Sequence, residues 1–241
     1  MPFKIQPAAA ALIVPNWLWE VTPTYSHPSD NDWTDNSDPD TSFVINSLTV
    51  ELEELANFST LGPDGSTGVR LVGTGAEAFR IRAPVANVVS TYSITRQTGD
   101  LWFLDMQYSV ATIGAVCAPQ IAIRDLAGGV LCFARNEHGA KNVEWEDDGG
   151  TSTTNDSGTI KRIAMMIMDR GATSWAIGFS QENATPAVAW KDLDPRGIMD
   201  STSSPWDDFW FRLDTANTTD ATITRMAIGY VSVDDWTDIG G

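Results

Sequence analysis

The stretch Asp100-Leu-Trp-Phe-Leu-Asp-Met-Gln-Tyr-Ser-Val-Ala-Thr-Ile113 decides the fold class. Trp102, Leu104, Met106, Tyr108 and Val110 fall on one side. Phe103, Asp105, Gln107 and Ser109 fall on the other. A period of two held this long is the signature of a β-strand, because successive Cβ atoms point to opposite faces of a sheet.

Working outward, Thr159–Asp169 is apolar on both faces through Ile163, Ala164, Met165, Met166 and Ile167, which predicts a central strand covered on both sides. Arg170-Gly171-Ala172 turns the chain into a return strand, with Trp175, Ile177 and Phe179 alternating against Ala176, Gly178 and Ser180. Phe209, Phe211 and Leu213 alternate with Trp210 and Arg212, and Ala221–Val233 reads as a last long strand. Residues 42–55 are mixed. Phe43, Ile45 and Ser47 alternate like a strand, whereas Leu48, Leu52 and Leu55 form a helical stripe, so a strand followed by one helical turn is expected. Clusters of Gly, Asn, Asp, Ser and Thr at 62–68, 96–100, 147–158, 182–186 and 214–220 separate about a dozen strands. No segment is an amphipathic helix of three turns. The expectation is all-β: a two-sheet antiparallel sandwich of the jelly-roll kind. With no internal repeat, a propeller or β-helix is disfavoured.

Two pieces resemble concanavalin A-like and laminin G-like jelly rolls in pattern. One is Ile160-Lys-Arg-Ile-Ala-Met-Met-Ile-Met-Asp-Arg-Gly-Ala-Thr-Ser-Trp-Ala-Ile-Gly-Phe179. The other is Thr222-Ile-Thr-Arg-Met-Ala-Ile-Gly-Tyr-Val-Ser-Val233. This resemblance spans about 100–235 and implies fold more than function, since the architecture serves many roles.

The formal charge is −17, from 32 acidic against 15 basic residues, only four of them Lys. A field of that sign repels phosphate backbones, so nucleic acid is not an expected partner. It suits a salty environment, and it suits simple solubility equally. No apolar run approaches a membrane span. Ala8–Val14 is short, has only Lys4 before it, and runs into Pro15-Asn16-Trp17, so it reads as a packed arm. Residues 1–41 are expected to be an N-terminal arm and acidic loop for anchoring or assembly, with the sandwich over 42–241.

Ser29-Asp-Asn-Asp-Trp-Thr-Asp-Asn-Ser-Asp-Pro-Asp40 is dense in turn formers. Asp30, Asp32 and Asp35 suggest a calcium site, but the run departs from the EF-hand pattern, and a solvated acidic loop is the alternative. Cys117 and Cys132 belong to a hairpin around Leu126-Ala127-Gly128-Gly129. A four-residue loop puts Asp125 opposite Val130, Ile123 opposite Cys132 and Cys117 opposite His138, so the thiols are not cross-strand partners.

Candidate chemistry is sparse. Trp190 with Asp192 and Asp194, and Trp206 with Asp207, carry the mix used by sugar sites: a ring for the apolar sugar face and carboxylates for hydroxyls. The alternative is that these Trp cap the core. Val143-Glu-Trp-Glu-Asp-Asp148 sets Glu144, Glu146 and Asp148 on one strand face, as in laminarinase-type glycosidases. It has the wrong carboxylate order, however, and runs straight into Gly149-Gly150. His27 and His138 lack a nucleophile motif. The chain is therefore expected not to be an enzyme. Asn57, Asn155, Asn183 and Asn217 stand in Asn-x-Ser/Thr sequences, and the last three fall in predicted loops.

The chain also resembles phage and archaeal-virus virion proteins: an apolar arm, a Thr/Asn/Gly-rich β domain and few Lys. That resemblance implies a virion surface subunit (fibre, spike, turret or decoration protein). It would be held by its arm to other virion proteins, oligomeric (a trimer), and able to bind host glycan. An extracellular lectin-like carbohydrate-binding module is the alternative, and a polysaccharide-cleaving jelly roll a further one.

Overall fold

The computed structural model describes residues 15–21, 41–45, 47–63, 69–112, 117–127, 129–137, 142–147, 150–155, 162–169, 174–180, 198–201, 206–215 and 219–237. Fourteen strands and two short helices are present among them. The strands are β1 (Asn16–Val21), β2 (Thr41–Ile45), β3 (Leu48–Pro63), β4 (Val69–Pro84), β5 (Leu101–Thr112), β6 (Cys117–Asp125) and β7 (Val130–Glu137). They continue with β8 (Asn142–Asp147), β9 (Gly150–Asn155), β10 (Arg162–Met168), β11 (Ser174–Ser180), β12 (Ile198–Ser201), β13 (Trp206–Thr215) and β14 (Thr219–Val231). Helices α1 (Val85–Thr91) and α2 (Val233–Thr237) complete the fold.

The strands form an antiparallel two-sheet sandwich, as the alternation predicts. Sheet A runs β12-β11-β10-β5-β14-β1, and sheet B runs β9-β8-β7-β6-β13-β4-β3-β2. Hydrogen bonding nevertheless passes continuously from one sheet to the other. The first half of β4 (69–73) pairs with β14, and its second half (77–84) pairs with β13. Likewise β5 pairs with β14 in sheet A, and β6 pairs with β13 in sheet B.

Period two now accounts for the core. Trp102, Leu104, Met106 and Tyr108 of β5 meet Ile163, Met165 and Ile167 of β10 and Ile223, Met226 and Ile228 of β14. Across the sandwich they face Phe209, Phe211 and Leu213 of β13, Ile121 and Ile123 of β6, and Ile81 and Ala83 of β4. All seven β10 residues are buried, as expected of a strand covered on both faces. On the outer face of sheet A, Leu101, Phe103, Ala164, Met166 and Met168 form a second apolar cluster.

Three expectations change. Residues 42–55 contain no helical turn: β2 and β3 form a hairpin across Asn46-Ser47, with Ser47 at φ 71°. Register shifts at Leu52/Glu54 and Ala56/Phe58 break the alternation of β3, and spacings broken by bulges imitate a helical stripe. In the β6–β7 hairpin Ile123 does face Cys132, but a bulge pairs Arg124 rather than Asp125 with Val130. Asp125 is released to accept bonds from the backbone N–H of Ala127 (2.9 Å) and Gly129 (2.8 Å), an Asx-type closure of the turn. Cys117 pairs on its other side with Thr215, while His138 lies outside the described residues. Finally, a boundary at residue 42 does not separate arm from sandwich. β1 is a strand of sheet A, and its Trp19 (1% exposed) and Val21 sit in the core.

One end of the sandwich is closed by Asp100, which is fully buried. Its carboxylate accepts the Gln97 N–H (2.7 Å) and the Val233 N–H (2.9 Å), fixing the turn into β5 and the start of α2. Gly99 makes that approach possible. It sits at φ 101°, and a Cβ there would stand 2.7 Å from Val233 Cγ2.

Candidate ligand face

Alternation on sheet B turns every second residue away from the core. On β13, Phe209, Phe211 and Leu213 point in, so Asp208, Trp210 and Arg212 point out; a bulge between Trp206 and Asp208 re-phases the strand and leaves Trp206 in the core. The same logic turns out Arg80 and Arg82 of β4, Gln120, Ala122 and Arg124 of β6, and Phe133 and Arg135 of β7. Ala122, Phe133 and Trp210 form a small apolar cluster on this side. Five of the chain's eleven arginines therefore stand on one face of a molecule with a net charge of −17.

Strand register orders them into two rows. One reads Glu54, Arg80, Arg212, Gln120, Arg135, Glu144 across β3-β4-β13-β6-β7-β8. The next reads Glu51, Arg82, Trp210, Ala122, Phe133, Glu146 across the same strands. Five inter-strand spacings make each row about 24 Å long. Arginine and aromatic groups occupy the middle positions, and the register positions at both ends are held by glutamates.

The geometry is tightly held. The guanidinium of Arg124 is forked onto Asp208, Nε to Oδ1 at 3.0 Å and Nη2 to Oδ2 at 2.9 Å, with both side chains buried. Arg82 bonds Glu51 through Nε (2.6 Å) and reaches within 3.8 Å of Asp208, yet its side chain remains 33% exposed. Three guanidinium groups surround the ring of Trp210: Arg124 at 4.7 Å, Arg212 at 5.2 Å and Arg80 at 5.8 Å. Arg135 lies 5.2 Å from the ring of Phe133. Cation–π contact and ion pairing together hold the forks in fixed orientations. An ordered guanidinium plane is what planar anions and vicinal hydroxyls require.

Of the residues singled out in the sequence, Glu144 and Glu146 of β8 stand at the register positions opposite Arg135 and Phe133. Trp206 does not. It is 3% exposed, packs edge-on against Trp102 (6.0 Å) and Phe209 (5.6 Å), and is covered by Arg96 at 4.7 Å. The neighbouring Asp207 is half-buried. Trp190, Asp192, Asp194, Asp148, His27, Asn183, Asn217 and the calcium candidates Asp30, Asp32 and Asp35 lie outside the described residues. Among the described residues no three His, Cys, Asp or Glu side chains converge on one point, and no helix is long and apolar enough to cross a membrane. Asn57 lies within β3 and Asn155 ends β9. Sequence reasoning missed the arginines themselves. Their signal was the alternation of Arg80 with Ile81 and Arg82, and of Trp210 with Phe211 and Arg212, which becomes a cluster only once β4, β13 and β6 are known to be neighbours.

No family model matches the chain, and no curated protein matches it. Solved structures resemble it at low identity. A Trypanosoma rangeli sialidase in complex with 2,3-difluorosialic acid is 12% identical, with a TM-score of 0.43 over 85% of this chain and 33% of the sialidase. An alginate lyase of polysaccharide lyase family 7 is 10% identical, with a TM-score of 0.41 over 88% of this chain and 94% of the lyase. A carbohydrate binding module from Bacillus subtilis is 12% identical, with a TM-score of 0.33 over 66% of this chain and 86% of the module. The chain spans about a third of the sialidase's length. Likeness at this level identifies neither a family nor a chemistry.

Proposed function

We propose that this chain is a glycan-recognition sandwich whose ligand lies across the outer face of sheet B. The supporting observation is the pair of register rows, in which part-exposed arginines, Arg80, Arg82, Arg135 and Arg212, are held against the buried side chains of Trp210, Phe133 and Gln120. Guanidinium groups donate to carboxylate, sulfate and hydroxyl oxygens, so the ligand class is an acidic saccharide. The chain's net charge of −17 discourages indiscriminate polyanion binding. A glycan array of neutral, uronate-bearing and sulfated glycans, run with calcium and with chelator, tests the reading. Acidic glycans are expected to bind, and the Arg82→Ala and Arg80→Ala variants to weaken binding roughly ten- to a hundredfold, the size of one charged hydrogen bond. Binding of neutral glycans alone sinks the acidic ligand. Cleavage of a bound glycan that disappears in Glu144→Gln or Glu146→Gln replaces recognition with catalysis.

We place this recognition at a virion surface, on the strength of the composition and the distinct N-terminal segment. Because β1 is part of the sheet, the informative truncation removes residues 2–14 and spares 16–21. The truncated chain is expected to fold and to fail to assemble into particles. Normal assembly removes the anchoring role.

A further inference from the structure

We infer that the outer face of sheet B takes an extended saccharide chain lying across the strands, with its acidic groups on every second sugar. This rests on the glycan reading of that face and narrows its ligand class.

The part-exposed cations gather round two rings. Arg80 and Arg212 lie 5.8 Å and 5.2 Å from the centre of the Trp210 ring, and Arg82 reaches within 3.8 Å of Asp208 on the same strand as Trp210. Arg135 lies 5.2 Å from the centre of the Phe133 ring. Both rings are buried, while all four of these arginines are part-exposed. Each ring is thus a floor, and the guanidinium groups over it are what a ligand meets.

Strand register sets the distance between these two poles. Trp210 pairs with Ala122, and Ala122 pairs with Phe133. The two ring positions therefore stand two strand spacings apart, about 10 Å, along the hydrogen-bonding direction. The strand between them, β6, brings no comparable cation. Its one basic residue, Arg124, is 4% exposed and forked onto Asp208. Ala122 carries no polar side-chain group, and Gln120 is a buried neutral amide. An anionic group over this middle strand would lose hydration without gaining a counterion, whereas one at either pole is met by a guanidinium. A pyranose unit in an extended chain is close to one strand spacing in length. Acidic groups on a sugar and on the next but one are then separated by nearly the distance between the poles. An alternating chain sets its charges on the arginines and its neutral sugar over β6. A chain with acidic groups on adjacent sugars cannot place both at poles.

The test uses three probes, titrated calorimetrically against the full chain at one fixed ionic strength. Two are the disaccharide and tetrasaccharide of alternating glucuronate and N-acetylglucosamine, with one carboxylate and with two carboxylates on alternate sugars. The third is digalacturonate, whose two carboxylates are on adjacent sugars. The tetrasaccharide is expected to bind roughly tenfold or more tighter than either of the others, the size of one charged hydrogen bond. In Arg135→Ala that advantage should disappear while disaccharide binding stays as in the parent, which separates loss of a pole from loss of the fold. Digalacturonate binding as tightly as the tetrasaccharide overturns the spacing and leaves an acidic ligand standing. So does Arg135→Ala weakening disaccharide and tetrasaccharide equally. No binding of any probe also overturns the spacing, and the glycan reading falls with it only if no acidic glycan binds on the array.

Discussion

Asp105 is the residue whose removal should be felt most. It is fully buried on the outer face of sheet A, and Arg162 is forked onto it through Nε (2.7 Å) and Nη2 (3.0 Å). Arg225 Nη1 bonds the same carboxylate and carries the chain of charge on to Glu20. Arg162 and Arg225 are 3% and 5% exposed at their side chains. Asp105→Asn keeps the shape and one acceptor oxygen but leaves both guanidinium groups buried without their shared anion. Breaking a buried pair in this way costs about 3–5 kcal/mol. For a chain of this length that lowers the melting temperature by roughly 6–20 °C. The measurement is urea and thermal unfolding of the variant beside the parent, at a fixed pH near neutrality. The partner experiment replaces the three buried ionic residues with apolar ones of similar volume: Asp105→Leu, Arg162→Met and Arg225→Met. That variant should recover most of the loss, because the penalty arises from stranded charge and not from lost attraction. A loss below about 1 kcal/mol in Asp105→Asn, the scale of an exposed pair, refutes the reasoning.

Other outcomes follow from single contacts. Burial first, and then the hydrogen bond and charge of Asp100, push the Tyr230 phenol up from 10.0 to about 12. The neutral phenol is the form the fold favours, so this contribution is complete below pH 10 and is lost as pH rises through about 12. In an ultraviolet titration the Tyr230 phenol should ionise near pH 12, and Asp100→Asn should bring it down. Gly229→Val should expel β1 at a cost of about 1–3 kcal/mol, the price of overpacking, seen as faster proteolysis near residue 21 in the variant than in the parent. Arg82→Ala should change stability by no more than about 1 kcal/mol, since its pair with Glu51 is part-exposed. A large loss of glycan binding in that variant would then report on the ligand face and not on folding.

The strands that could be read from sequence were those with unbroken alternation or burial on both faces. β5 and β10 needed no partner to be recognised. β3 was misread in its second half, because the register shift after Leu52 turns a period of two into the spacing of three between Leu52 and Leu55. β1 illustrates the same physics at smaller scale. Trp17 and Trp19, two apart, should share a face, and the bulge between them sends one outward and one into the core. That hid its membership of sheet A behind the look of an apolar arm. α1 escaped notice because Val85-Ala-Asn-Val-Val-Ser-Thr91 is rich in β-branched residues. Its helix is held by Val85 and Val88 packing in the core and by Asn87 Nδ2 donating to the Thr49 carbonyl at 3.1 Å. The candidate site was harder, because it is assembled from strands distant in sequence. Trp206 was misleading as a surface signal: the bulge before Asp208 turns its ring inward.

Both outer faces of this sandwich carry buried arginine–aspartate forks, and the forks do different things. A buried ion pair adds little net stability, but it makes register errors expensive. Slipping β14 by one residue against β5 would turn Arg225 into the core, and slipping β13 against β6 would do the same to Asp208. The two faces differ in what remains accessible. On sheet A the arginines are closed over, with Arg225 spent on Asp105, Glu20 and the ring of Trp17, so that array serves to seat β1. On sheet B the fork of Arg124 with Asp208 is equally buried, but it supports Arg82, which stays a third exposed beside Trp210. A buried anchor beside a part-exposed guanidinium is the feature on which the proposed ligand face rests, and sheet A offers no counterpart among the described residues.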